Sequence, residues 1–326
     1  MKYYTIPTLL LLCTHSHAAT VSAVSDNLWT DPATWSDNAA PSGGNDYTID
    51  SGRTVTSPTG SGAINFAGDS LTVNNGGTLR LANDHSTTLQ TSNYNITNLS
   101  LNDGATLNAS QNGGVGATDY RLTNTVAAAG NVSLQLGGGF FFCYLTFENG
   151  LSGDGTINFN RFSGGGTQDF RLNLSGSSSY SGDWNLSGSR TTVFVNAADG
   201  FGSGSVTANA NMLIDNLNAS GLNSLSAITL AGNAELQLTN AITNNSASIS
   251  MESTSQLDLV DTTSSVLSLT INGNSVSSGT YDAAQLTALG FGGTFDGSGS
   301  ITIIPEPSSS SLILLGSLFA LHRRKR

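Results

Sequence analysis

The chain has 326 residues, with 11 basic and 22 acidic side chains and a formal charge of −11. Only 10% of it is charged, against about 25% in ordinary globular proteins, and a basic footprint for nucleic acid is absent. Two cysteines, Cys13 and Cys143, leave no disulfide framework, so stability must come from backbone pairing and a continuous core.

Lys2, the apolar centre Leu9–Leu12 and the small-x-small run Ser16-His17-Ala18 read as a secretory signal over 1–18, cleaved between Ala18 and Ala19. Leu12 is too large to precede a lipidated Cys13. The secretion translocon is thus an expected partner. The body Ala19–Ile304 keeps six arginines and no lysine against 21 acidic residues, a formal −15. Polyanionic sugars and anionic membranes should be repelled unless a divalent cation bridges them.

Asn27 to Trp35 brings Trp29 and Trp35 together near the start of the body. Two readings stand: the indoles plug the open end of a stack, or they contact a glycan from an exposed loop. Beyond them, apolar residues recur at offsets 0, +2, +8 and +10 about a turn. Leu71, Val73, Leu79 and Leu81 flank Asn74-Asn75-Gly76-Gly77. Leu99, Leu101 and Leu107 flank Asn102-Asp103-Gly104, and Val132, Leu134, Phe140 and Phe142 flank Gly137-Gly138-Gly139. Ile228, Leu230, Leu236 and Leu238, then Ile249, Met251, Leu257 and Leu259, repeat the pattern; Val206, Ala208 and Ile214 follow it more weakly. Period two within each half means strands, and the turn residues tolerate positive φ. Starts lie 28, 33, 22 and 21 residues apart. That step is the length of one coil of a parallel β-helix, expected to be right-handed and to fill 19–303. A dozen coils would make a rod on the order of 60 Å long. An antiparallel sandwich of hairpins remains the alternative, because strand–Asn-Gly-Gly–strand is also a hairpin signal.

Ser152 to Ile157, then Ser175 to Trp184, Val193-Phe194-Val195 and Gly200 to Val206 carry a Tyr-Ser-Gly turn, an alternating strand and Gly-x-Gly-x-Val. Residues 152–216 thereby resemble the autotransporter-associated β-strand repeat, which implies a passenger-type β-helix; Gly188-Ser189-Arg190 replaces the family's usual Gly-Thr-Leu. Residues 278–303 read as a C-terminal cap. Asp282 to Leu289 forms a short helix stopped by Gly290, and Gly292 to Phe295 pairs with Ser300 to Ile303 as closing strands.

The last residues change character. Pro305 and Pro307 fix φ and lack amide donors, so they end the preceding fold. Four serines lead into the apolar run Leu312–Leu321, about 14 residues even with the serines counted, short of the about 20 that a span requires. Arg323, Arg324, Lys325 and Arg326 form a cytoplasmic stop. Pro305-Glu306-Pro307, the serines, the short span and the basic end over 304–326 resemble the PEP-CTERM sorting signal of Gram-negative bacteria. The resemblance implies transient residence in the inner membrane, recognition by an exosortase, cleavage near Pro-Glu-Pro and delivery to the cell surface or exopolysaccharide matrix. An ordinary C-terminal anchor is the alternative.

Chemistry is sparse. His85 is the sole body histidine, and no two acidic residues adjoin; Asp258 and Asp261 are the closest pair. Arg161, Arg171 and Asp169 come nearest to a lyase set. Asn102-Asp103-Gly104 and Gly153-Asp154-Gly155 could be calcium turns or plain Asp-Gly turns. Cys143 reads as a packed residue. The expectation is no catalytic residue, no metal and no cofactor: an exported, non-catalytic surface or matrix rod. A carbohydrate-binding adhesin stands second and a polysaccharide lyase or hydrolase third.

Overall fold

A computed structural model describes residues 18–83, 89–111, 117–137, 142–162, 170–209, 211–244 and 246–304. The signal segment, the sorting tail, His85, Phe140, Phe141 and Asp169 lie outside the described residues.

The body is a parallel β-solenoid of about nine turns. Along the first five coils the chain visits three faces in turn. Face 1 contains Ala19–Ser22, Asn45–Ile49, Ser70–Val73, Leu99–Leu101, Val126–Ala128 and Leu151–Gly153. Face 2 begins at Thr54–Thr56 and is the longest, with 11 strands. Face 3 has ten, from Gly62–Asn65 to Thr294–Asp296. At roughly 4.8 Å per coil, nine turns make a rod of about 43 Å, shorter than a dozen coils would give.

The hairpin alternative is overturned by the register. Strands 70–73 and 78–83 do not pair across Asn74 to Gly77. Leu71 pairs with Leu99 and Leu79 with Leu107, each one coil on. Inward and outward residues alternate along most strands, so the spaced aliphatics bury in columns and most of the hydroxyls and amides between them face out.

Two spacings read from the sequence need correction. Leu99 and Val132 lie on different faces; the true partner of Leu107 is Leu134, 27 residues on. The strand Asn131–Gly137 runs through Gly137 rather than turning there, and Phe142 lies half-buried while Cys143 is interior.

The coil shortens in the second half. Asn158 stacks on Asn185 at a separation of 27, whereas Asp183 bonds Ser205 at 22. The shorter coil has no room for a third strand. From residue 175 to 247 the third side is built from turns instead, plugged by Tyr180, Phe201, Leu222, Leu225 and Ile242, all buried, before Thr263–Val266 restores a strand there. Trp184 anchors the changeover: its Nε1 donates to the Phe201 carbonyl at 3.0 Å, and its ring meets Phe201 edge-on at 5.3 Å.

Both ends are closed. Trp29 and Trp35 are 1% and 0% exposed and pack edge-on against Phe66, Tyr47 and Tyr94. Trp35 Nε1 donates to the Trp29 carbonyl at 2.8 Å. At the other end the helix Ala283–Ala288 carries a capping box between Asp282 and Gln285 and inserts Leu286 into the core. The expected pairing of the closing strands is corrected. Thr294–Asp296 pairs in parallel with Gln256–Asp258, and Ser300–Ile303 lies between Thr263–Val266 and Gly279–Asp282.

Candidate functional site

Three places on the surface of the rod gather polar side chains from successive coils. The first is the corner between faces 3 and 1. A groove of about 510 Å³ is lined there by Thr97, Asn98, Ser100, Asn124, Thr125 and Asn149. Amides stack along it: Asn124 donates to Asn95 Oδ1 at 2.6 Å, and Asn95 to Asn65 Oδ1 at 3.2 Å. Coil stacking forces this ladder, because equivalent residues lie one strand spacing apart. The groove is uncharged, and its donors and acceptors suit sugar hydroxyls.

The second is the outer surface of face 3 at mid-rod. Register places Tyr144, Arg171 and Thr192 in one row, and Thr146, Asn173 and Phe194 in the next. The Arg171 guanidinium stacks 4.9 Å from the Tyr144 ring centre and 5.2 Å from that of Phe194. Beside it, Asp119 is 4% exposed and tied down on both sides. Arg121 Nε donates to Asp119 Oδ2 at 2.6 Å and Thr146 Oγ1 to Asp119 Oδ1 at 2.7 Å. Arg121 also reaches Glu148 at 3.2 Å. The hydrogen bond to Asp119 raises the guanidinium pKa further.

The third continues the same face. The row running from Phe194 proceeds through Asp215, Gln237, Asp258 and Asp296, and Glu235 stands beside it. Burial pushes the pKa values of Asp215 and Glu235 up, and Asp258 adds to both shifts. No two acids adjoin in the sequence, yet stacking puts Asp258 opposite Asp296 and gathers four acids on one face. A group whose folded pKa is raised stabilises most at low pH, and that contribution is lost as pH rises through its folded pKa. The thermal midpoint is therefore expected to rise on acidification from neutrality toward the ordinary carboxylate range. Asp258→Asn should flatten that profile and add about 0.5–1 kcal/mol at pH 7, since the groups are partly solvated. Asp261→Asn removes the same charge from an exposed turn with φ 44° and serves as the control. Equal profiles for the two variants would show that the column is not coupled.

The residues singled out by the sequence scatter. Trp29 and Trp35 are interior, so neither ring face is open to a sugar and the glycan-contact reading of this pair is corrected to a plug. Arg161 sits on face 2, with its guanidinium over Phe170 at 4.1 Å and Nη1 on the Ser189 carbonyl at 2.8 Å; Arg171 sits on face 3. Asp103 Oδ1 accepts the Asn131 amide at 2.7 Å, which is turn bonding. Cys143 is fully buried, and desolvation drives its thiol pKa well up. Among the described residues no group of three or more His, Cys, Asp or Glu is placed to hold a metal ion, and no helix is long and apolar enough to cross a membrane.

The arginine cradle was missed by sequence reading, although a signal existed. Tyr144 alternates out of phase with the inward Cys143, Leu145 and Phe147, and so does Phe194 with Val193 and Val195. An aromatic residue on the outward phase of a strand departs from the hydroxyl and amide pattern around it. No protein-family model matches the chain, and neither a curated protein nor a solved structure does.

Proposed function

We propose that the chain is an exported, non-catalytic surface or matrix rod, sorted through its tail. The translocon would export it, the segment 304–326 would lodge briefly in the inner membrane, and an exosortase would cut near Pro305-Glu306-Pro307. The solenoid is taken as right-handed, as nearly all parallel β crossovers are. The observation that carries the reading is where the last described strand ends. That strand is Ser300–Ile303, and the last described backbone bond runs from Ile304 N to the Val266 carbonyl at 3.0 Å. Pro305 follows at once. At the other end the first paired strand begins at Ala19, where signal cleavage is expected. Both cuts would therefore leave every described strand intact.

C-terminal peptide mapping of the protein from envelope and culture-medium fractions tests this. A body ending near Pro307, outside the inner membrane, is expected. An intact Arg326 terminus found only in the inner membrane would mean a permanent anchor and would remove the sorting reading.

A second reading, a glycan-binding rod, is favoured by the uncharged amide groove near Asn98 and Asn124. The grouped carboxylates of face 3 call for a third assay. The non-catalytic reading fails if the protein releases reducing or unsaturated ends from uronate or neutral polymers and Asp258→Asn abolishes that release.

A further inference from the structure

The body is strongly acidic, yet half of its six arginines come from strands and a turn at one edge. Arg161 bonds the carbonyl of Ser189, next to Arg190. The Arg190 carbonyl accepts the amide of Phe170, next to Arg171, at 3.1 Å. The three cations thus come from two consecutive coils, Arg161 and Arg171 from one and Arg190 from the next, around the edge between faces 2 and 3. Arg53 and Arg121 have carboxylate partners; Arg171 has none among the described residues. It is held instead by two rings, half-buried and fixed in place.

We infer that Arg171, cradled by Tyr144 and Phe194, is a binding site for a carboxylate-bearing sugar of an acidic polysaccharide. A guanidinium presents a planar fork that matches a carboxylate, and ring stacking pre-orders it without consuming its N–H donors. Phe142 stands 6.4 Å from Tyr144 and is also half-buried, so ring surface is available to the apolar side of a pyranose. Among the described residues the neighbouring acids do not compete. Asp119 and Glu148 are engaged by Arg121, and Asp215, which follows Phe194 along the row, accepts from Thr239 Oγ1 at 2.8 Å. General repulsion of polyanions by the acidic rod is thereby offset at one place, which makes recognition local. The site rests on the glycan-binding reading above, for which it names the ligand class.

The test uses full-length protein in mild detergent, with polygalacturonate as probe and its fully methyl-esterified form as the neutral match. Dextran sulfate and dextran form a second pair. Polygalacturonate should bind and the ester should not, with affinity falling as salt rises. Arg171→Gln should weaken binding by about tenfold or more. Tyr144→Ser should weaken it less, with the melting temperature of each variant near wild type. Arg53→Gln, which removes the same charge from a pair with Asp26 elsewhere, should bind as wild type. Equal binding of ester and acid, or equal loss in Arg53→Gln, overturns the site. So does Arg171→Gln binding as tightly as wild type. Arg171-dependent binding of dextran sulfate in place of polygalacturonate overturns the carboxylate assignment. Tail processing is read separately by peptide mapping. A processed tail with no Arg171 dependence removes the site alone, and Arg171-dependent binding with an unprocessed tail removes sorting alone.

Discussion

Trp35→Ala is expected to destabilise the N-terminal coils by about 3–5 kcal/mol, the range for truncating a fully buried large aromatic. The indole is 0% exposed, meets Tyr47 at 4.8 Å and bonds the Trp29 carbonyl. Its removal opens a cavity and orphans a buried carbonyl together. In a stacked array each coil is stabilised mainly by its neighbours, so loss of an end plug frays the array from that end. Denaturant unfolding should change from one transition to two. Trp29 would report the early loss and Trp184, at mid-rod, the later one. Trp35→Phe keeps most of the packing and should recover more than half of the difference. Glycan binding by the remaining body should be unaffected. An unchanged denaturation midpoint combined with lost glycan binding would restore the surface-contact role and remove the plug.

Gly204→Ala is expected to be at least as damaging, by a different mechanism. A Cβ at residue 204 would lie 1.9 Å from the Gly182 carbonyl oxygen and 2.5 Å from its carbon. The obstacle is backbone of the adjacent coil, which cannot swing aside. A column of glycines marks the corner. The Gly182 Cβ would meet the Gly155 oxygen at 2.3 Å, and that of Gly155 the Gly130 oxygen at 2.2 Å. The coils turn so tightly here that successive backbones touch. Overpacking a well-filled interior costs about 1–3 kcal/mol; here the displaced element carries a paired strand on each side, and we expect about 3 kcal/mol or more. Gly43→Ala, where the closest atom would be Asp69 Oδ1 at 3.7 Å, should stay within about 0.5 kcal/mol of wild type. Chemical denaturation of the two variants side by side checks this, and equal midpoints would show that the corner relaxes.

Much of the fold was legible because solenoid coils repeat the same local code. Leu71, Val73, Leu79 and Leu81 alternate with polar residues and bracket a turn of asparagine and glycine, which suffices for strand, corner and inward phase. Residues 238–259 likewise showed the coil length. The strands of face 3 in the first coils were illegible. Gln90–Asn95 and Thr118–Leu122 bury Ser92, Tyr94, Thr118 and Tyr120, with Leu122 their one aliphatic. Ser92 and Tyr94 are tolerated inside because other strands supply partners: Ser92 Oγ donates to the Gly60 carbonyl of the preceding coil at 2.5 Å, Asn83 Nδ2 donates to Ser92 at 3.0 Å and Tyr94 Oη to the Ala82 carbonyl at 2.8 Å. Burial accordingly lifts the Tyr94 phenol to about 12. A local window cannot show a bond partner a coil away.

The same division holds for the surface. Sequence alone determined a long, acidic, cysteine-poor all-β body with strand phase, coil length and closing residues. Those depend on side-chain periodicity and on glycine, asparagine and proline, which act within a few residues. Tertiary structure alone decided parallel pairing over hairpins, the change from three strands per coil to two, and the interior position of both N-terminal tryptophans. It also decided which charges meet. Arg171 lies 27 residues from Tyr144 and 23 from Phe194, and Asp258 lies 38 from Asp296. Such neighbours come from register between coils, which is set by the whole stack rather than by any stretch of chain.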